Sequence, residues 1–283
     1  MLHLALYKET KTDRRYGGRW RLTWQGNNRI GSMDTTILKG LSLLERLAES
    51  DQPRGVTELS RQMNLTKSNV QRVLSTLVEL GYAQKDPATG RYGPTLRMWE
   101  FGYKTLSRDR VRLAAAAQLR LLHERCNETI FLCVGEGLDV MYVDKIEGND
   151  PNRVFCMIGM RLPALRVAAG RAILAFQDDA LVERAIAAMS PDQSQTTVDQ
   201  AADEMRQVLG TIRADGYAVS LGEFRPGVNS IAAPVWDTSG NPVASVVVNG
   251  PSERLNPERL GQLAVDLTSV AARISETLGY RLR

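Results

Sequence analysis

The sequence predicts an α+β fold in two domains: an N-terminal winged helix-turn-helix, then a linker helix, then a domain built on an antiparallel sheet. Three observations carry this. Apolar residues recur at helical spacing in three segments between Thr35 and Leu80, and a short hairpin follows. Residues 96–128 read as linker helix, with the helix formers of Leu113–Leu122 at their centre. From residue 129 onward, strand patterns alternate with helical ones. The expected division is a basic tail over 1–33, the winged helix-turn-helix over 34–95, the linker over 96–128 and the sheet domain over 129–283.

From Thr35 to Glu49, Ile37, Leu41, Leu44 and Ala48 keep a helical period, joined by Leu38 and Leu47. Asp51-Gln-Pro53-Arg-Gly55 breaks that helix. Thr57 is the expected N-cap of a short helix, Glu58–Met63. Asn64-Leu65 connects it to a third helix ending near Leu80 at Gly81. That helix has an apolar stripe (Val70, Val73, Leu74, Leu77) and a polar one (Ser68, Gln71, Arg72, Ser75). Ala83–Lys85 and Arg91–Gly93, around Asp86-Pro-Ala-Thr-Gly90, read as a hairpin. Residues 95–128 look helical throughout. Strands are expected at 130–134, 140–146, 154–158, 217–221, 230–235 and 243–249, and helices at 168–177, 179–189, 198–215 and 260–278.

Composition narrows the function. With 43% hydrophobic and 24% charged residues, near the soluble globular average, the chain has enough apolar material for a full core, and composition argues against wholesale disorder. Nothing resembles a membrane span; the closest run, Leu165–Phe176, carries Arg166 and Arg171. The start lacks the pattern of a secretory signal. Cys126, Cys133 and Cys156 are odd in number and lie among apolar neighbours, as reduced core thiols of a cytoplasmic protein do. His3 and His123 are the only histidines, which removes multi-histidine metal sites and most histidine catalysis. Gly135-x-Gly137 lacks a third glycine and reads as a hairpin turn, and no phosphate loop or nucleophile elbow is present. No catalytic set, cofactor or metal site is expected.

Charge is uneven. Residues 1–33 carry a net of +5 and residues 34–103 a net of +1. The tail reads either as an arm that meets a polyanion or as an unstructured stretch, even an early-start artefact, without a role. In the helix-turn-helix, Thr66, Lys67, Ser68, Asn69, Gln71 and Arg72 occupy the start and outer face of the third helix, where such a motif presents its base-reading side chains. Arg72 suits a fork onto guanine, and Asn69 or Gln71 a pair with adenine. Lys85 and Arg91 on the hairpin suit phosphate contacts. The same pattern also fits an ordinary three-helix unit with a solvated polar face.

Several ordered motifs closely resemble the IclR family of bacterial transcriptional regulators. They are Thr35–Gly102, Gly159-Met-Arg-Leu-Pro163 leading into Ala168-Ala-Gly170-Arg-Ala-Ile-Leu-Ala175, Gly216–Glu223, Gly227–Val235 and Asn249-Gly-Pro251. The resemblance covers about residues 34–280. It implies a GAF-like effector-binding C-terminal domain that takes a small organic or aromatic acid. It also implies a homodimer or tetramer on a near-palindromic double-stranded DNA operator, repressing or activating, here most simply of a catabolic operon. By position it assigns the effector pocket to Ala168, Ala169, Gly170, Ser220, Ser230, Val247 and Asn249. Leu165, Arg166 and Val167 depart from the family pattern, as do Arg171 and Val247, which makes the pocket less polar and favours a bulkier, partly apolar acid. Arg166 is either a balancing charge for that acid or a solvent-facing side chain. Ala168–Gly170 are either ligand-facing or simply small enough to pack closely on the sheet. The alternative for the whole chain is a small-molecule-binding or catalytic protein whose helix-turn-helix is vestigial or contacts protein.

Overall fold

The computed structural model describes residues 34–148, 156–189 and 195–281. They form two compact units that divide between Thr105 and Leu106. The basic tail expected over 1–33 lies outside the described residues.

In the first unit, Asp34 Oδ1 caps α1 (Thr35–Ala48), accepting from the Thr36 and Ile37 amides at 2.8 and 3.3 Å. Next come α2 (Val56–Met63), α3 (Lys67–Glu79) and a hairpin of β1 (Ala83–Lys85) and β2 (Tyr92–Pro94). Their core is one cluster containing Leu43, Leu47, Leu59, Val70, Leu74 and Leu77, the residues that the helical period places inward. The α2 cap differs from expectation. Gly55 is the N-cap and Thr57 lies inside the first turn. The reason is an antiparallel bridge between Arg54 and Tyr92, with both N–H···O distances 2.8 Å, which sets the chain direction just before Gly55. Asn64 turns the chain from α2 to α3 in the left-handed region (φ 52°). Gly81 (φ 78°) closes α3 as expected. Its amide donates to Val78 O, and that of Tyr82 to Leu77 O, a Schellman pair.

The helical stretch is not continuous. It splits into α4 (Arg97–Leu106) and α5 (Arg110–Cys126), because Asp109 leaves the helix to accept from the Arg112 amide at 2.8 Å.

The second unit holds a six-stranded, wholly antiparallel sheet in the order β5-β4-β3-β8-β7-β6. Its strands are β3 (Thr129–Glu136), β4 (Asp139–Ile146), β5 (Arg161–Pro163), β6 (Ala218–Leu221), β7 (Val228–Trp236) and β8 (Pro242–Pro251). Gly137 (φ 65°) turns β3 into β4, as the hairpin reading required. The edge strand is displaced from expectation. Residues 156–158 form no strand, and 161–163 pair with β4 instead, while 154 and 155 lie outside the described residues. One face of the sheet buries Ile130, Leu132, Ile231, Ala233, Val246 and Val248 against α5 and α9 (Pro257–Thr277). The other face carries α6 (Ala168–Leu174), which follows a 3-10 turn, Ala164–Arg166. Helices α7 (Asp179–Ala187) and α8 (Gln195–Asp215) lie between α6 and β6 in the chain.

Candidate nucleic-acid and effector sites

Thr66 Oγ1 caps α3 by accepting from the Asn69 amide at 3.3 Å, so its role in this geometry is to start the helix. Lys67, Ser68, Gln71 and Arg72 are exposed and Asn69 is half-buried. No acidic residue occupies the first turn of α3. Arg72 Nη2 donates to Asn69 Oδ1 at 3.2 Å, which ties the guanidinium to the side chain one turn earlier on the helix. Gln71 Nε2 donates to the Tyr92 hydroxyl at 3.0 Å, tying the polar stripe of α3 to the hairpin and leaving Oε1 to accept. The sequence alone does not single out Tyr92; its place in the hairpin is the signal available there. Lys85 is exposed, 5.8 Å from the Tyr92 ring centroid. Arg91 Nη1 donates to Pro53 O at 3.0 Å, bracing the hairpin on the α1–α2 loop. In the hairpin turn, the Thr89 hydroxyl and the Ala88 amide bond the Asp86 carboxylate, which holds it below the usual range.

Two of the eight residues are thus partly structural, Thr66 and Arg91, while the others share one polar face or the wing beside it.

In the second unit, cross-strand register brings the predicted effector residues into ordered rows. Ser220 pairs with Ser230, Ser230 with Asn249, and Asn249 with Thr129. The adjacent row is apolar: Ala218, Ala232, Val247 and Phe131. Because Val246, Val248, Ile231 and Ala233 face α5 and α9, alternation puts both rows on the opposite face, on which α6 packs. Ser220 and Asn249 are buried, and Asn249 Oδ1 has no hydrogen-bond partner among the described residues.

Ala168 and Ala169 are each 1% exposed. Gly170 is a glycine for a packing reason, since the backbone of the Ala164–Arg166 turn crosses directly over it. Arg166 is exposed, whereas Arg171 is buried and donates from Nη2 to Glu223 in the β6–β7 loop. Sequence reasoning treated Arg171 only as a departure from the family pattern; one helical period of small buried residues around it was the available signal. The same face holds Tyr142, whose ring meets Phe131 edge-on at 5.2 Å, with Cys133 and Cys156 close by. Burial pushes the Tyr142 phenol and the Cys133 thiol well above their ordinary values, and raises Cys156 as well. A cavity of about 420 Å³ lies at the far end of α6, lined by Gly135, Val140, Ile173, Leu174, Asp178 and Asp237 among others. None of the seven predicted effector residues lines it.

Among the described residues no cluster of three or more histidine, cysteine or acidic side chains is placed to hold a metal, and no helix is long and apolar enough to cross a membrane.

Comparison with known proteins gives the same two parts. The IclR helix-turn-helix domain matches residues 36–87, and the C-terminal domain of the bacterial transcriptional regulator IclR matches residues 103–276. The HTH-type transcriptional regulator KdgR of Escherichia coli K12 is 30% identical over 246 residues, spanning 87% of this chain and 93% of its own. A crystal structure of an IclR family transcriptional regulator from Brucella abortus superposes with a TM-score of 0.73 at 25% identity, covering 89% of this chain and 94% of that one. An IclR homolog from Microbacterium hydrocarbonoxydans, solved with 4-hydroxybenzoate, shares the fold at a TM-score of 0.72 and 20% identity, over 86% of this chain and 99% of that one.

Proposed function

The chain belongs to the IclR family of bacterial transcriptional regulators, and from that premise we propose that it reads an operator through α3 and answers to a carboxylic acid held on the α6 face of its sheet. In this reading residues 34–95 bind DNA, 96–128 link and dimerise, and 129–283 sense the effector. The observation that carries it is the outer face of α3: exposed Lys67, Ser68, Gln71 and Arg72 with no acid in the first turn. An α-helix fits the major groove, where forked and amide donors distinguish base edges. Arg72, aligned by Asn69, takes guanine; Asn69, Ser68 and the free Oε1 of Gln71 read neighbouring edges. Lys67 and Lys85 neutralise phosphate, with Arg91 and Thr66 holding the elements that carry them.

The effector reading rests on the two rows of the α6 face. The polar row (Ser220, Ser230, Asn249) orients a ligand, and the apolar row beside it accepts a ring or alkyl body. At the start of α6 the amides of Ala168 and Ala169 are the backbone donors offered to a ligand, whereas the Gly170 amide already donates to Val167 O at 3.2 Å and Gly170 serves as the close-packed position between them and the turn. A partly apolar acid fits both rows, and 4-hydroxybenzoate, the acid bound by a fold neighbour, is the first to test. Ligand acts by binding two arrangements of the regulator unequally, which is the thermodynamic condition for control. Regulation of a catabolic operon, action without enzymatic turnover and a cytoplasmic location belong to the same reading.

A near-palindromic operator requires two copies of α3. No residue of α4 is buried, and Trp99 and Tyr103 on it, with Leu96 just before it, form an exposed apolar stripe. Ile37 and Leu41 form another on α1. Phe101 and Met98 hold α4 to its own unit, while the outward stripe has nothing over it in the chain, so a second copy is assigned to cover it.

The test is selection of random genomic fragments by the purified protein at physiological salt. Enrichment of one inverted repeat is expected. Flat, salt-sensitive retention of all fragments overturns sequence-specific regulation and leaves charge-driven binding.

A further inference from the structure

Arg171 is a buried cation whose partner is replaceable. Its side chain is 5% exposed, while that of Glu223, which it bonds, is 49% exposed. Its Nε has no hydrogen-bond partner among the described residues, a costly state for a buried guanidinium donor. The pair also sits at a telling place. The C-terminal end of α6 is fixed near the turn end of the sheet, where Ile173 lies against Gly135 and Gln177 Nε2 donates to Pro242 O at 2.9 Å. The Arg171 side chain nevertheless reaches the β6–β7 loop, at the opposite end of the sheet, beside the row of Ser220, Ser230 and Asn249. Glu223 follows Ser220 by three residues, within about 10 Å along the chain. Arg171 thus crosses from α6 to the loop that borders the polar row, and the unpartnered Asn249 Oδ1 belongs to that same row. Glu223 itself is carried on a loop bracketed by Gly222 and Gly227, both with positive φ (70° and 77°).

We propose that Arg171 is the carboxylate anchor of the effector site and that Glu223 occupies it as an internal surrogate when no ligand is bound. The inference rests on the effector reading of the α6 face and deepens it. A ligand carboxylate takes the guanidinium, including its idle Nε, in a forked pair, and Glu223 with its loop swings to solvent. A hydroxyl on the ligand body donates to Asn249 Oδ1. The ligand then replaces a carboxylate by a carboxylate, so the buried cation is never left without a counter-charge.

The surrogate predicts an unusual sign. Removing a residue next to the site improves binding, because Glu223 competes with ligand. Binding of 4-hydroxybenzoate, and of uncharged 4-hydroxybenzamide as control, is measured by calorimetry on the full chain. Amide hydrogen exchange over residues 222–227 is followed in parallel. Glu223→Gln is expected to tighten the acid by about fivefold or more and to leave the amide unchanged. Arg171→Gln is expected to lose the acid by about tenfold or more, and Arg171→Lys, which keeps the charge and the fold, to lose less. In the unmodified chain the acid is expected to speed exchange over 222–227.

Equal or weaker acid binding by Glu223→Gln overturns the proposal and makes the pair a structural clip. So does acid binding without any change over 222–227, and so does the absence of acid binding by both proteins. The effector-control reading fails separately. If the acid gains affinity in Glu223→Gln but never alters operator binding, the anchor stands and control by that acid falls.

Discussion

A Cβ on Gly170 would stand 2.2 Å from the carbonyl oxygen of Ala164. No real Cβ approaches an oxygen so closely, and the obstruction is backbone of a 3-10 turn rather than a flexible side chain. Gly170→Ala therefore sets two effects against each other. Helix propensity favours alanine by about 1 kcal/mol, whereas forcing the turn away costs about 1–3 kcal/mol or more. The clash wins, and net destabilisation is expected as a lower urea midpoint. Gly210, inside α8 with nothing within 4 Å of its ideal Cβ, is the internal control. Gly210→Ala is expected to stabilise by roughly 0.5–1 kcal/mol. An unchanged midpoint for Gly170→Ala would contradict the close approach.

Arg72 and Lys85 are expected to fail in different ways on the enriched operator. Arg72→Ala removes the fork aligned by Asn69, so specific binding should weaken by about 1–3 kcal/mol and preference at one base pair should relax. Lys85→Ala, on the exposed hairpin, should weaken all sequences alike and lower the salt slope by about 1. Gel-shift titrations at several salt concentrations, against operator and single-base variants, separate the two. Uniform loss from Arg72→Ala would move base reading to another part of α3.

What was legible in the sequence follows from local chemistry. Helices α1 and α3 were legible because their apolar period, caps and the Gly81 terminator all agree over a dozen residues. The start of α2 was misread because its determinant, the Arg54–Tyr92 bridge, joins residues 38 apart and leaves no local mark. The break at Asp109 had a local mark, an aspartate three residues before Arg112, but strong helix formers on both sides masked it. The shifted edge strand reflects β5 taking its register from β4 rather than from its own pattern. On the candidate effector face, small and hydroxyl residues were visible by position. Their arrangement into one polar and one apolar row is a property of strand register, which no single segment encodes. Arg171 was passed over because an arginine in an alanine helix reads as a surface residue until its burial is known.

The apolar stripe of α4 should report on assembly. The Phe101 ring stacks on Tyr82 at 6.0 Å, so it belongs partly to the fold of its own unit, whereas Trp99 and Tyr103 face outward, 6.2 Å apart. Trp99→Ser with Tyr103→Ser is expected to shift sedimentation toward monomer with the thermal midpoint nearly unchanged, since neither side chain is buried within the chain. Operator affinity should fall with the loss of dimer, because two half-sites no longer bind as one unit. Unaltered sedimentation would place the second copy elsewhere.

The Cys133 thiol gives a pH dependence whose sign is fixed by burial. Its ordinary value is 9.0, and complete burial among apolar neighbours pushes the folded-state value well above that, with Cys156 adding to the rise. Below about pH 9 the thiol is protonated in both folded and unfolded chains, so the stabilising effect of burying it neutral is fully present. Above it, the unfolded chain ionises while the folded chain holds the proton. Stability should then fall by about 1.4 kcal/mol per pH unit for each such thiol until the folded value is reached. Urea midpoints between about pH 8 and pH 10, roughly one unit either side of the thiol's ordinary value, measure this. Cys133→Ala should make the decline shallower by that amount while lowering the plateau slightly through the small cavity it leaves. The same burial makes the thiolate scarce, so a disulfide reagent at pH 8 should label Cys133 only on unfolding. Fast labelling of the folded chain at Cys133 would mean that the α6 face opens to solvent far more readily than its packing implies, and the decline above pH 9 would then vanish with it.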